Sequence, residues 1–415
     1  MAVIKPFKAL RPSDKKASIV ASVPYDVVNR QEAKELVNGN PLSFLRITRA
    51  EIELDESINP YAPEVYQKAK ENLAKVIENG SLELDKVPNF YLYKLVMDGR
   101  SQTGIAATFS VDDYDNDVIL KHEKTRKEKE DDRTNHIITT GAQTGPVFLT
   151  YKNVTKVDEI IESVTKQTKP IYEFTSSDGI QHSVWKLPEE NNKIITEEIA
   201  KVKNLYIADG HHRAASASRA RKVKMDSNKS HTGMEEYNYF IAVLFPANQL
   251  KILPYNRIVL DLKGRSKEEF LNEVSEKFSI SKSSLKEPSS RQTFGMYIEG
   301  EWYQLKANDA VIASSSLSKS VAENLDVSIL QDFLFNPVLG IDDPRTNKRI
   351  DFVGGIRGTK ELEALVDNKK AAAAFSLFPV SVDDLMKISD AGEIMPPKST
   401  WFEPKLRDGL LVHLI

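Results

Sequence analysis

The sequence predicts a mixed α/β (α+β) fold, and three observations predict it. Short runs of aliphatic and aromatic residues, bounded by Gly, Asn, Asp or Pro, recur along the chain. Stretches with helical spacing lie between them. The composition, 40% hydrophobic and 28% charged over 415 residues, suits a protein with a real core. That length predicts two or three domains or one large composite. The expected division is an N-terminal α/β region over 1–255 and a C-terminal α/β region over 256–415, whose tail (395–406) packs back toward a site in the first.

The strands are expected, in order, at 90–96, 104–111, 146–151, 205–208, 239–245, 294–298 and 372–378. A helix is expected over 62–79, where Val65, Tyr66, Ala69, Leu73, Val76 and Ile77 recur at helical spacing and Gly80 supplies a left-handed cap. Residues 30–37 also look helical. Ser266 with Glu269 reads as a capping box opening a helix that buries Phe270, Leu271, Val274 and Phe278. A further helix over 325–334 should end at Asn336-Pro337. The polar segment 222–236 reads as a mobile loop, and the Ser/Lys-rich 279–292 as a surface connection.

Several function classes drop out. With no cysteine there is no disulfide scaffold, thiolate zinc site or cysteine nucleophile. A formal charge of −3 gives no global pull toward nucleic acid or anionic lipid. No stretch approaches the ~20 apolar residues of a bilayer span, and the start, Met-Ala-Val-Ile-Lys-Pro-Phe, lacks the apolar core of a signal peptide. The expectation is a cytoplasmic protein with no nucleic-acid or membrane partner; homo-oligomerisation is left open. Gly354-Gly355-Ile356-Arg357-Gly358-Thr359-Lys360 has the composition of a Walker A loop in the wrong order and reads as a turn. There is no Rossmann glycine fingerprint, no His-Glu-x-x-His and no Gly-x-Ser-x-Gly.

One segment carries chemistry. The apolar strand at Leu205 runs into Asp209-Gly210-His211-His212-Arg213, then into small residues of strong helix character. Gly210 lets the backbone turn sharply. The amides that follow are the unpaired donors of a helix N-terminus, where an anion is favoured by hydrogen bonds and dipole together. His211, His212 and Arg213 add donors suited to phosphate, and Asp209 suits a magnesium ion or a hydroxyl. The alternative is an ordinary strand-to-helix junction with Asp209 as its cap. Elsewhere, Tyr25 suits a ligand flank and Asp26 an amine or metal, or else Asp26 caps the 30–37 helix. His122 and Glu123 follow an apolar strand end, where Glu123 can act as a base and His122 can meet phosphate, or both are merely solvated. Lys398, Ser399 and Thr400 offer a point charge and two hydroxyls, unless their segment only docks. Arg46 is a further anionic contact or a surface charge.

Asp-Gly-His-His-Arg after a strand resembles a signature of a ParB/sulfiredoxin-like group that includes free L-serine kinases. The whole chain is still more similar to a large family of unknown function, numbered ten-fifteen, assigned to the same superfamily. Its hallmarks occur in order: VIKPFKAL at 3–10, Val23-Pro24-Tyr25-Asp26-Val27, His122-Glu123-Lys124-Thr125, Lys129-Glu130-Asp131-Asp132-Arg133, the box at 209–213, and MPPKSTWFEPKL at 395–406. The acidic segment departs from the pattern by an extra aspartate before Arg133. The resemblance implies a ParB/sulfiredoxin-like phosphate-binding core elaborated by additional strands and helices. It also implies a free L-serine kinase forming O-phosphoserine from ADP or ATP with Mg²⁺. Gly210 to Arg213 would then cradle phosphates and Asp209 hold the metal, with Glu123 as base and Lys398 neutralising developing charge. Tyr25-Asp26, His122-Glu123, the box and Lys398–Thr400 should converge on one cleft, and Arg213→Ala should weaken nucleotide binding without unfolding the chain. A non-catalytic nucleotide- or metabolite-binding regulator is the alternative. DNA partitioning is disfavoured, because no basic recognition helix is present.

Overall fold

The computed structural model describes residues 1–317 and 320–415. The chain is a mixed α/β protein that divides into two compact units. Met1–Leu250 together with Pro404–Ile415 form the first, and Lys251–Glu403 the second.

The first unit is built on a nine-stranded sheet. Its strands run, edge to edge, Ile119–Leu120, Leu205–Asp209, Val147–Tyr151, Tyr239–Pro246, Arg100–Ser110, Tyr91–Met97, Gln181–Lys186 and Tyr172–Thr175, with Ile4–Lys5 paired to Arg100–Ser110. Leu205–Asp209 pairs parallel with Ile119–Leu120, and Tyr239–Pro246 parallel with Val147–Tyr151; the other pairs are antiparallel. Buried Leu92, Ile105, Phe109, Leu149, Leu205, Ile207, Phe240 and Leu244 fill the core beside it. Each such side chain contributes roughly 1.5–3 kcal/mol on leaving water. The helices Lys127–Thr140 and His211–Ser227 pack against each other. Ala214, Ala217 and Ala220 are buried on the second, and their short side chains permit the close approach. A smaller sheet orders Leu82–Leu84, Ala9–Pro12, Val412–Leu414 and Ala142–Gln143, so residues from both ends of the chain meet in it.

The second unit carries a six-stranded antiparallel sheet ordered Phe278–Lys282, Glu301–Ala307, Thr293–Ile298, Ala373–Leu377, Tyr255–Val259 and Ile350–Gly354. A separate two-stranded ladder joins Ile252–Leu253 to Trp401–Phe402, pairing Ile252 with Phe402 and Leu253 with Trp401.

All seven expected strands are present. The second starts earlier than expected, at Arg100, because Met97 pairs with Arg100 across a two-residue Asp98-Gly99 turn whose φ values are 51° and 74°. Such a turn forms a tight hairpin and extends pairing into polar sequence. The 62–79 helix is found as Pro63–Glu78, and the Ser266–Glu269 capping box opens Lys267–Ser275. Phe270 and Val274 are buried as expected, whereas Phe278 begins the next strand and Leu271 is only partly covered. Helix continues through Ser227 into the segment read as a loop. The 325–334 helix is Asp326–Leu330 followed by a π-type turn, Gln331–Phe335. The run 354–360 is a short 3₁₀ turn leading into the helix Gly358–Asp367. Among the described residues, no helix is long and apolar enough to cross a membrane.

Candidate functional site

The site begins with an irregularity in a strand. Ile207 pairs with Leu149 but Asp209 with Phe148, so Ala208 is an extra residue and the strand bulges before its end. A bulge re-aims the side chain beside it, and here that side chain is Asp209. Gly210 follows with φ 96°, and a Cβ there would lie 2.9 Å from Arg213 Nε. The left-handed backbone and the folded-back arginine both require glycine. Gly210→Ala should therefore cost about 1–2 kcal/mol from the backbone alone, with the displacement of Arg213 adding to it. Urea denaturation measures that loss, and a midpoint equal to the parent's would contradict the geometry. No side chain caps the helix His211–Ser227. Its first-turn amides, those of the Gly-His-His-Arg segment, keep the donor character of a helix N-terminus.

The charges of the box are tied down. Asp209 Oδ2 accepts from Arg213 Nη2 at 2.8 Å, and Lys405 Nζ lies 3.3 Å from Oδ1. Burial alone would raise the Asp209 carboxyl, but Lys405 and Arg213 outweigh it and hold the group well below the usual carboxylate range. Arg213 also donates to the Pro146 carbonyl, and its Nε is buried without a partner. The guanidinium is thus an internal strut as well as a neighbour of the helix N-terminus.

Beside the box, His122 and His211 meet edge-to-face with centroids 4.4 Å apart. His122 is 2% exposed and neither ring nitrogen has a hydrogen-bond partner. Burial pushes its pKa down to about 4, and burial with His122 as neighbour holds His211 well below its ordinary value. Both rings are neutral at pH 7. Glu123, with 49% of its side chain exposed, places Oε2 3.6 Å from His211 Nδ1. His212 Nε2 accepts from the Arg126 amide at 3.0 Å, which fixes the loop entering the helix Lys127–Thr140.

A second cluster also includes Arg213. Tyr25, Arg133, His136, Thr144, Gly145, Arg213 and Asp408 are among the residues lining a cavity of about 30 Å³. The Arg133 guanidinium lies 4.1 Å from the Tyr25 ring centroid and pairs with Asp132 at 2.9 Å. Asp408 is 1% exposed, and neither carboxylate oxygen has a partner in hydrogen-bond geometry. Burial pushes its pKa up to about 7, against Arg213; exposed Asp26 adds to the rise, Arg133 opposes it, and the Tyr25 backbone amide opposes it least. A raised carboxyl means that the folded state binds the extra proton. Asp408 therefore contributes stability that is fully present below the ordinary carboxylate range and is lost as the pH climbs from about 4 to about 7. Asp408→Asn should flatten that segment of the stability–pH curve, as read by chemical denaturation. A slope unchanged by the substitution would exclude Asp408 as its source.

Of the residues singled out in the sequence, Tyr25, Asp26, His122, Glu123 and the box all belong to the first unit. Asp26 is not the expected helix cap: Asn29 takes that place, in a capping box with Glu32. Arg46 is occupied by Glu53 at 2.5 Å and by the carbonyls of Val37 and Asn40. Lys398, Ser399 and Thr400 belong to the second unit. There Lys398 Nζ lies 5.4 Å from the Tyr255 ring centroid, and Ser399 Oγ donates to the Pro396 carbonyl at 2.6 Å. Lys405, Asp408 and Gly145 were missed, and Arg133 was named only as part of the 129–133 hallmark. Lys405 stands inside the 395–406 hallmark, and Asp408 lies two residues past its end. Among the described residues no three His, Asp or Glu groups cluster to hold a metal. Asp209, facing two cations, does not fit a resident Mg²⁺.

The family described as "Protein of unknown function (DUF1015)" matches residues 4–328. No curated protein sequence matches the chain. Solved structures that resemble it include a conserved hypothetical protein from Pyrococcus furiosus, at 13% identity and TM-score 0.33, covering 75% of this chain and 95% of that one. A free serine kinase in complex with AMP has 12% identity and TM-score 0.34, covering 75% and 92%. A C-terminally truncated SbnI from Staphylococcus aureus has 12% identity and TM-score 0.38, covering 74% and 87%.

Proposed function

From the premise that this chain belongs to the DUF1015 family, we propose that it is a small-molecule phosphotransferase, a free L-serine kinase that forms O-phosphoserine from ADP or ATP. The observation that carries this reading is the uncapped helix N-terminus at Gly210, set beside a carboxylate and two neutral histidines within reach of Glu123. Phosphoryl transfer is mostly positioning and electrostatics. Amides at a helix N-terminus supply fixed donors for phosphate oxygens without needing a side-chain charge.

In this reading the amides of the box hold the donor's phosphates, with His212 and Arg213 at their side. Glu123 takes the proton from the acceptor hydroxyl as its oxygen bonds to the transferred phosphorus. The bond from that phosphorus to the bridging oxygen breaks, and the shortened nucleotide leaves. His211, held neutral by burial, steadies Glu123 through Nδ1. Asp209 keeps Arg213 and Lys405 in place. Mg²⁺ enters as the counter-ion of the nucleotide, as part of the substrate. Lys398, Ser399 and Thr400 remain proposed phosphate contacts, and Asp26 and Tyr25 proposed acceptor contacts.

A regulator that binds a nucleotide or metabolite without transfer is the second reading. It is favoured by one feature: the side-chain charges of Asp209 and Arg213 already satisfy each other. The test is a panel of hydroxyl amino acids incubated with ADP or ATP and Mg²⁺ and followed for phosphorylated product. Phosphoserine formation supports the kinase; nucleotide binding with no phosphorylated product from any acceptor moves the protein to the regulator class.

A further inference from the structure

The cavity beside Arg213 is lined by an acid neither of whose oxygens has a partner in hydrogen-bond geometry. Every other charge lining it is already matched. Arg133 is paired with Asp132 and stacked on Tyr25. Arg213 is paired with Asp209 and bonded to the Pro146 carbonyl. His136, which burial and then Arg133 keep neutral, places Nε2 3.1 Å from the Ile47 carbonyl. Gln143 is spent on the backbone of Tyr239 and Ile241, at 3.0 and 2.8 Å. Asp408 alone has two buried carboxylate oxygens without partners.

The fold makes room for this carboxylate. A Cβ on residue 145 would stand 2.5 Å from Asp408 Oδ1, so glycine there lets the side chain lie against the backbone. The Asp408 backbone is fixed in turn by reciprocal bonds with Ser22, at 2.9 and 3.1 Å. A buried, unpaired carboxylate costs several kcal/mol unless donors reach it. The cavity's 30 Å³ compares with the ~10–15 Å³ that one water needs, so an ammonium and the carbon bearing it can enter.

We propose that this cavity is an amine subsite, in which Asp408 receives the primary ammonium of an amino-acid ligand. Arg213 lines the same cavity, so its guanidinium is the cation nearest to the ligand's α-carboxylate in this proposal. The identification of that ligand as the phosphoryl acceptor rests on the kinase reading above. The subsite itself does not. An ammonium supplies up to three donors to two oxygens that no donor reaches in hydrogen-bond geometry, whereas an anion would add to the negative charge of Asp408 and Asp26.

Calorimetry on the intact chain tests this with three probes: L-serine, ethanolamine, which keeps the amine, and L-glycerate, which replaces the amine with a hydroxyl. L-serine should bind best, ethanolamine less well and L-glycerate about 10-fold or more weaker than L-serine. Because burial raises the Asp408 carboxyl to about 7, amine binding at neutral pH should release protons, read from buffers of different ionisation heat. That measurement needs no variant. The charges facing Asp408 are Arg213, Arg133 and Asp26. Asp408→Asn, checked for folding by its melting curve, should lose about 10-fold or more in L-serine affinity and keep its nucleotide affinity. Equal binding of L-glycerate and L-serine, proton uptake instead of release, or unchanged L-serine affinity in Asp408→Asn each overturns the subsite. Asp408-dependent amine binding without any phosphorylated product would leave the subsite standing and remove the kinase. Phosphoserine formation with a KM for serine unmoved in Asp408→Asn would do the reverse.

Discussion

Glu123→Gln is expected to abolish most phosphoserine formation while leaving nucleotide affinity close to the parent's. The substitution keeps the shape of the side chain and removes its basicity, and proton transfer to a base occurs only in the transition state. Removal of a general base costs on the order of 10²–10⁴ in rate. Folding should be retained, because half of the Glu123 side chain is exposed. A product assay and calorimetric nucleotide affinity on one preparation separate the two effects. Turnover at the parental rate would take Glu123 out of the mechanism and pass the base role to Asp26.

Arg213→Ala should act differently from what the sequence suggested. As a donor at the edge of a phosphate site, Arg213 would be removed at the expense of affinity alone. Its guanidinium instead lies buried between Asp209 and the Pro146 carbonyl. Truncation strands that carbonyl and leaves Asp209 with Lys405 as its remaining cation. Breaking a buried pair by removing one partner costs about 3–5 kcal/mol. A large fall in the urea midpoint is expected, with nucleotide affinity measured on the protein that stays folded. Arg213→Lys should restore the charge without the two-armed geometry and recover only part of the loss. Full stability in Arg213→Ala would mean that the strut carries no load.

The sheets were legible because their strands are short, apolar and punctuated. Phe240, Ala242 and Leu244 sit in a run that can hardly be anything else. Helix ends were legible where a cap wrote them into the sequence, as at Ser266. Strand order was not, since Leu205–Asp209 lies between partners from 119–120 and 147–151 and nothing local announces either. The box stood out because its residues are adjacent. Asp408 did not, because the residues that enclose it, Ser22, Tyr25 and Gly145, come from distant parts of the chain. Burial of a charge is a property of distant residues, and no window along the chain contains them. Arg46 is the converse: a cation in a suggestive place that Glu53 and the carbonyls of Val37 and Asn40 had already claimed.

The short ladder between Ile252–Leu253 and Trp401–Phe402 also bears on how the polypeptide assembles. Lys405 and Asp408 reach the first unit only after roughly 150 intervening residues have been threaded through the second. Closing so long a flexible loop would be slow and entropically costly. The ladder clips the entry and exit of the second unit side by side, so that, once it has formed, the gap the backbone must bridge shrinks to the width of one strand pair. The intervening unit then behaves as a cassette between two neighbouring attachment points. Replacing it with a tight hairpin should preserve the first unit's architecture, while cutting one arm of the clip should delay its completion in refolding experiments.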